Sequence, residues 1–99
     1  TGGSMKKGHW TFLSNHGRVI LYLSRNPEST TEHISRETEL SLRGVQKIIA
    51  ELEEAGYIAR HKEGRRNYYT IHPEMPMRHQ LEKEHAIGEI LKAIGPAVR

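Results

Sequence analysis

The fold turns on "SLRGVQKIIAELEEAGYIARHKEGRRNYYTI", residues 41–71. Its first half carries Val45, Ile48, Ile49 and Leu52 at i, i+3, i+4 and i+7, the spacing of one helix face. Ser41 stands before that stripe as an N-cap able to accept a backbone N–H bond, and Gly56 supplies a left-handed stop. The opposite face shows Arg43, Gln46, Lys47 and Ala50. In the second half the period changes to two. Ile58, Arg60 and Lys62 alternate with Tyr57, Ala59 and His61, and beyond the turn Tyr69 and Ile71 alternate with Tyr68 and Thr70. A helix therefore runs into a two-stranded hairpin closing near "KEGRR", with Gly64 at the positive-φ position such a turn requires. Ile58, Tyr69 and Ile71 are expected to face the core.

Charge concentrates on that hairpin. Between Tyr57 and His72 stand Arg60, Lys62, Arg65 and Arg66 against Glu63 alone, a net +3 equal to the formal charge of the whole chain. The helix is also unusual: its cations lie in the N-terminal half while Glu51, Glu53 and Glu54 lie at the end, against the macrodipole in both cases. One reading is a solvated face with incidental charges. The sharper reading is that the helix start meets an anion, where exposed amides and cations act together. A basic arm beside a cationic helix start would form two parts of one anion-binding surface.

Upstream, "SNHGRVILYLSRNP" (14–27) reads as a first helix. Ser14 or Asn15 can cap it, Pro27 stops it, and Val19, Ile20, Leu21, Tyr22 and Leu23 make it apolar nearly all round. Trp10, Phe12 and Leu13 are expected on the same core. "STTEHISRET" (29–38) reads as a second helix with a capping box from Ser29 and Glu32 and one strong apolar residue, Ile34. "HPEMP" (72–76) reads as an extended connector to a last helix over 77–95, with Leu81, Ile87, Ile90, Leu91 and Ile94 as its stripe and Gly95-Pro96 as its end.

At 99 residues the chain is most simply one domain whose small core would gain from a partner or a second copy. Hydrophobic residues at 35 % and charged residues at 27 % argue against both a membrane protein and a fully disordered one. No apolar run approaches the ~20 residues that span a bilayer. Without cysteine there is no disulfide framework, thiolate nucleophile or sulfur-rich metal site, and a cytoplasmic location is the expectation. Residues 1–4, "TGGS", precede Met5 and read as a tag remnant, the start of a flexible N-terminus over 1–8.

The order helix, helix, short turn, long helix, hairpin, final helix resembles the winged helix-turn-helix domain of MarR- and ArsR-like transcriptional regulators. The resemblance is carried by "HISRETELSLRGVQKIIAELEEAGYIAR" (33–60) and "GRRNYYTI" (64–71) and covers about residues 12–92. Ile34, Leu40, Val45 and Ile48 match the buried positions of the motif, and Ser35 its small one. One departure stands out: Glu39 occupies the turn position where the family usually places Gly. A non-glycine residue at positive φ costs on the order of 1 kcal/mol or more, so the turn is either slightly strained or built differently.

The resemblance implies an α+β fold: a winged helix-turn-helix with a three-helix core and a two-stranded wing over 9–76, and an added C-terminal helix over 77–99 that serves dimerisation. It implies a sequence-specific double-stranded DNA-binding transcriptional regulator, acting as a homodimer through the first and last helices, with helix 41–55 in the major groove. Arg43, Gln46 and Lys47 would read bases, since Arg and Lys suit guanine and Gln adenine. Ser41, Thr30 and Thr31 would donate to phosphates from helix starts. Lys62, Arg65, Arg66 and Asn67 of the wing would follow the backbone or enter the minor groove. Replacing Arg65 and Arg66 by alanine is expected to flatten the salt dependence by about two units per protomer. Gly44 would either allow close approach to the duplex or be a tolerated neutral choice.

Other readings of the same residues stay open. A winged helix can serve as a protein-interaction module, or as a ligand- or metal-responsive repressor with its effector at the dimer interface. Tyr68 and Tyr69 could stack on unpaired bases, although period-two burial accounts for both without a ligand. His79, Glu82, His85 and Glu89 would share a face of the last helix, faintly like a zinc site, yet one helix cannot close a shell of three or four ligands. No metal or cofactor is called for. No P-loop, Gly-x-Ser-x-Gly or His-Glu-x-x-His occurs, and an enzyme is not expected.

Overall fold

The computed structural model describes residues 10–94, which form α1 (Asn15–Arg25), α2 (Thr31–Thr38), α3 (Leu42–Glu54), β1 (Ile58–Glu63), β2 (Arg66–Ile71) and α4 (Ile87–Ile94). The expected tail over 1–8 and the Gly95-Pro96 stop lie outside the described residues. Three hydroxyl oxygens start the first three helices. Ser14 accepts from the Gly17 amide at 3.1 Å, Thr30 from His33 at 3.1 Å, and Ser41 from Gly44 at 3.0 Å. The start of α2 is thus capped by Thr30, not by the expected Ser29–Glu32 box. Ser29 sits one residue too early: its own amide closes a turn onto the Asn26 carbonyl.

The core lies where the three helices meet the hairpin. Val19, Ile20 and Leu23 of α1, Ile34 of α2, and Val45, Ile48, Ile49 and Leu52 of α3 are buried with Tyr57, Ile58 and Tyr69. Each such side chain contributes about 1.5–3 kcal/mol. Exposed ion pairs contribute at most about 1 kcal/mol. Packing therefore holds the domain, and the charges are left for other roles. Ile71 is half-buried against the same cluster, which completes the expected inward set of the hairpin. The apolar girdle of α1 is largely used inside the chain, with Tyr22 also packed against the core. Trp10 and Phe12 depart from expectation. They are 75 % and 92 % exposed and meet each other edge to face, because the chain before Ser14 runs over the surface instead of under α1.

The turn between α2 and α3 is built on Glu39, which takes the left-handed conformation with φ 63° and ψ 30°. The Leu40 amide returns to the Ser35 carbonyl at 3.2 Å, the six-to-one bond of a Schellman ending, and the Ser35 hydroxyl donates to the Leu40 carbonyl. Of the two expected forms of the turn, this is the slightly strained one. Thr38, buried at its side, donates its hydroxyl back to the Ile34 carbonyl at 2.6 Å.

β1 and β2 pair antiparallel with Glu63 opposite Arg66, so the loop is two residues, Gly64 and Arg65. Gly64 has φ 65°, and among the described residues Glu39 is the sole non-glycine at positive φ, so Arg65 lies at negative φ. That combination is the pattern of a type II′ turn. Along its free edge β2 gives the Tyr69 amide to the Pro27 carbonyl at 2.9 Å, which fastens the hairpin to the α1–α2 connector.

The last helix is shorter than its apolar spacing suggests. It begins at Ile87; residues 77–86 are turns folded back by a bridge between Pro76 and Ala86. The Met77 amide goes to His85, Ile87 to Met75, and Gly88 to Pro73, so tertiary carbonyls satisfy the donors around this fold-back. From Arg78 to His85 the one large apolar residue is Leu81, 86 % exposed, and a helix there would have no buried face to stabilise it. Ile87 and Leu91 dock on the core, and Tyr57 anchors the connector by donating its hydroxyl to the Pro76 carbonyl.

Candidate nucleic-acid interface

α3 turns Val45, Ile48, Ile49 and Leu52 inward, which leaves Arg43, Gln46, Lys47 and Ala50 exposed along the other side. These fall at i, i+3, i+4 and i+7, so two cationic donors and one amide that both donates and accepts form one row. Ser41 is exposed at the head of that row and Gly44 half-buried beside it. An ideal Cβ on Gly44 would lie 3.0 Å from the Ser41 hydroxyl, so glycine here also keeps the cap uncrowded. At the start of α2, Thr30 is exposed and Thr31 half-buried, with the Thr30 oxygen already engaged by the helix amide.

The wing residues divide by face. Period two places Lys62 and Asn67 on the side of Ile58, Arg60 and Tyr69, the side that meets α3 through an Arg60–Glu53 bond of 3.2 Å. Arg66 lies on the opposite side with His61, Tyr68 and Thr70, and Arg65 sits at the loop. Arg66 reaches Glu28 of the α1–α2 connector at 3.2 Å, a partner the sequence did not suggest. Among the described residues Arg43, Gln46, Lys62 and Arg65 make no side-chain hydrogen bond or ion pair.

The acids at the end of α3 have local explanations. Glu51 accepts from His16 of α1 at 2.6 Å, and Glu53 from Arg60 of β1. The His16 contact holds the Glu51 carboxyl below the usual carboxylate range, with Lys47 and Arg78 pulling the same way. The macrodipole cost is thus set against two tertiary pairs, and only the cations at the start of α3 still point to an anion.

Tyr69 is buried, which pushes its phenol up, while Arg60 beside it pulls the other way. Tyr68 is half-buried and stacked on His61, with centroids 4.8 Å apart and planes 23° apart. His79, Glu82, His85 and Glu89 do not share a helix face, since the helix starts after three of them. Among the described residues no three His, Asp or Glu side chains are placed to hold a metal. His85 and Glu89 instead pair at 2.7 Å, and Glu89 accepts from the Ala86 amide to close the start of α4.

Comparison with known proteins bears on this arrangement. The crystal structure of a predicted DNA-binding transcriptional regulator from E. coli matches with a TM-score of 0.56 at 18 % identity, over 79 % of this chain and 70 % of that one. That likeness shows the fold: a winged helix. The zinc-dependent MarR family regulator AdcR, in its Zn(II)-bound state, matches with a TM-score of 0.48 at 26 % identity over 67 % and 49 % of the two chains, too partial to carry an argument. Over 59 residues the chain is 32 % identical to the arsenic resistance transcriptional regulator ArsR1 of Pseudomonas putida, a stretch covering 60 % of this chain and 46 % of that protein. The chain thus spans about half the length of that curated relative. The MarR family profile matches residues 11–66, which takes in α1, the turn at Glu39, all of α3 and the wing tip. By that match the chain belongs to the MarR family.

Proposed function

We propose that this chain is a sequence-specific double-stranded DNA-binding transcriptional regulator, non-enzymatic and cytoplasmic, that acts as a homodimer. The observation that carries the reading is the exposed row Arg43, Gln46 and Lys47 on a helix whose other face is locked into the core. A groove about 12 Å wide admits such a helix, and these side chains match the acceptor and donor edges of guanine and adenine. Ser41, Thr30 and Thr31 supply hydroxyls at two helix starts for phosphate contacts, and Gly44 keeps the approach close. Lys62, Arg65, Arg66 and Asn67 follow the backbone or the adjacent minor groove.

The dimer contact is assigned to α4 and the chain before α1. The apolar face of α1 is used internally, whereas Ile94 is 40 % exposed and Trp10 and Phe12 stand clear of the core. Two-fold symmetry would set the recognition helices about 34 Å apart on a pseudo-palindromic site.

Selection of bound duplexes from a random DNA pool tests the reading, with a salt titration on the selected duplex and the mass of the complex measured in parallel. A recovered inverted repeat bound by two chains is the expected result. Arg65→Ala should then reduce the salt slope by about 0.9 per protomer. Absence of duplex retention at low salt would instead favour a protein-interaction role.

A further inference from the structure

We infer that Glu28 masks Arg66, making the connector before α2 a negative determinant of nucleic-acid affinity. The inference rests on the DNA-binding reading above. Three observations lead to it. Arg66 Nη2 lies 3.2 Å from Glu28 Oε1 across 38 residues of sequence. The two side chains are 75 % and 69 % exposed, so the pair adds little to stability and its consequence must be sought elsewhere. The Tyr69 amide grips the Pro27 carbonyl next door at 2.9 Å, which holds the connector and β2 at a fixed separation.

The surrounding charges sharpen the point. Glu63 is the register partner of Arg66 across the turn, yet the hydrogen bond of Arg66 goes to Glu28 on the connector. Arg65, the next residue, has no such partner among the described residues. Two adjacent arginines are therefore inequivalent: Arg65 presents a charge with no protein partner among the described residues, and Arg66 a charge already paired with Glu28. A phosphate must displace Glu28 before Arg66 can serve it. The double alanine replacement of Arg65 and Arg66 should accordingly flatten the salt slope by nearer one unit than two per protomer.

The test compares wild type, Glu28→Gln, Arg66→Ala, the double variant and Arg65→Ala in salt titrations of binding to a selected duplex. Gln keeps an acceptor of the same shape and removes the charge. Glu28→Gln is expected to bind about two- to fivefold more tightly at fixed salt and to steepen the slope by about 0.9 per protomer. Arg66→Ala in the wild-type background should alter the slope far less than Arg65→Ala. In the Arg66→Ala background the gain from Glu28→Gln should vanish. An unchanged or weakened affinity for Glu28→Gln overturns the inference, as does an equal gain with Arg66 removed, which would mark a general charge effect. If wild type binds and Arg65→Ala flattens the slope while Glu28→Gln does nothing, only the masking fails. If wild type retains no duplex at low salt, the DNA-binding reading fails and the masking with it.

Discussion

Arg18 of α1 donates through Nη1 to the carbonyl of Thr38 at 2.8 Å, across the end of α2. The same guanidinium gives Nη2 to the Thr11 hydroxyl at 3.2 Å. A helix ends with carbonyls that have no intrahelical partner and a partial negative charge, and a cation there satisfies both. The first helix thereby fixes where the second one stops, immediately before the turn that aims α3. Arg18→Met keeps the aliphatic packing and removes the donor. It should cost about 1.5–3 kcal/mol, the range for a hydrogen bond made by a charged group. In urea the midpoint should fall with no change in slope, and Arg18→Lys should recover part of the loss. An unmoved midpoint would mean that water serves the Thr38 carbonyl equally well.

Glu39 is the next point along that path. Its φ of 63° is a conformation in which a Cβ is crowded and glycine is not. Its side chain is exposed and the turn bonds are made by backbone and Ser35, so no contact depends on the carboxylate. Glu39→Gly should raise stability by about 1 kcal/mol, less the entropy gained by the unfolded chain. Glu39→Ala retains the Cβ and should raise it little. A thermal melt of the three proteins decides the matter, and a lower midpoint for the glycine variant would show that the strain at Glu39 is smaller than the entropy glycine adds to the unfolded chain.

α3 and the wing were legible because each carries a full period in sequence, four apolar residues on one helix face and an alternation broken only at Gly64. The glutamate in the turn was legible too, since the resemblance marks that position. The cap of α2 slipped by one residue because Ser29 and Thr30 have equal chemistry, and only the path of the connector selects Thr30. The overlong last helix has a similar cause. Leu81 satisfies the spacing, but its own amide goes to the His79 ring and the Glu82 amide to the His79 carbonyl, while the amides of Ile87 and Gly88 are claimed by Met75 and Pro73. The Arg66–Glu28 contact was beyond reach, because it depends on the free edge of β2 meeting a segment 38 residues away. Likewise Glu51 and Glu53 looked misplaced on α3 until His16 and Arg60 were seen beside them.

Gly88 is where α4 rests on the connector. An ideal Cβ there would come within 2.7 Å of Pro73 Cβ and 2.8 Å of its carbonyl oxygen, the atom that accepts the Gly88 amide. Backbone and a proline ring cannot give way cheaply, so Gly88→Ala must lift the helix. The expected cost is about 1–3 kcal/mol. If α4 forms part of the proposed dimer contact, the variant should also raise the concentration at which the complex dissociates in sedimentation. Unchanged stability and association would place the helix elsewhere in solution.

The His16–Glu51 pair gives a pH dependence with a definite sign. His16 holds the Glu51 carboxyl below its ordinary value in the folded chain. A depressed carboxylate contributes stability that is complete above the ordinary carboxylate value and is lost as pH falls through the folded one. Wild type should therefore exceed Glu51→Gln in urea midpoint near neutrality, and the two should converge in acid below the ordinary carboxylate range. Both side chains are nearly half exposed, so the gap will be small and salt will narrow it. A gap that persists unchanged in acid would trace the effect to shape, not charge.

Gln46 and Lys62 separate the two kinds of contact that the proposed interface requires. Gln46 stands mid-row on α3, where an amide can both donate and accept, and Lys62 stands on the α3-facing side of the wing. A base-reading group sets which sequence is preferred, whereas a phosphate-binding group sets how steeply affinity falls with salt. Gln46→Ala should relax preference at one position per half-site by about 1–3 kcal/mol while leaving the salt slope in place. Lys62→Ala should lower the slope by about 0.9 per protomer across all duplexes and leave the selected sequence unchanged. Competition between the selected duplex and its single-base variants, repeated at several salt concentrations, reads both quantities at once. If Lys62→Ala shifted the preferred base while Gln46→Ala shifted only the slope, the assignment of helix and wing would have to be exchanged.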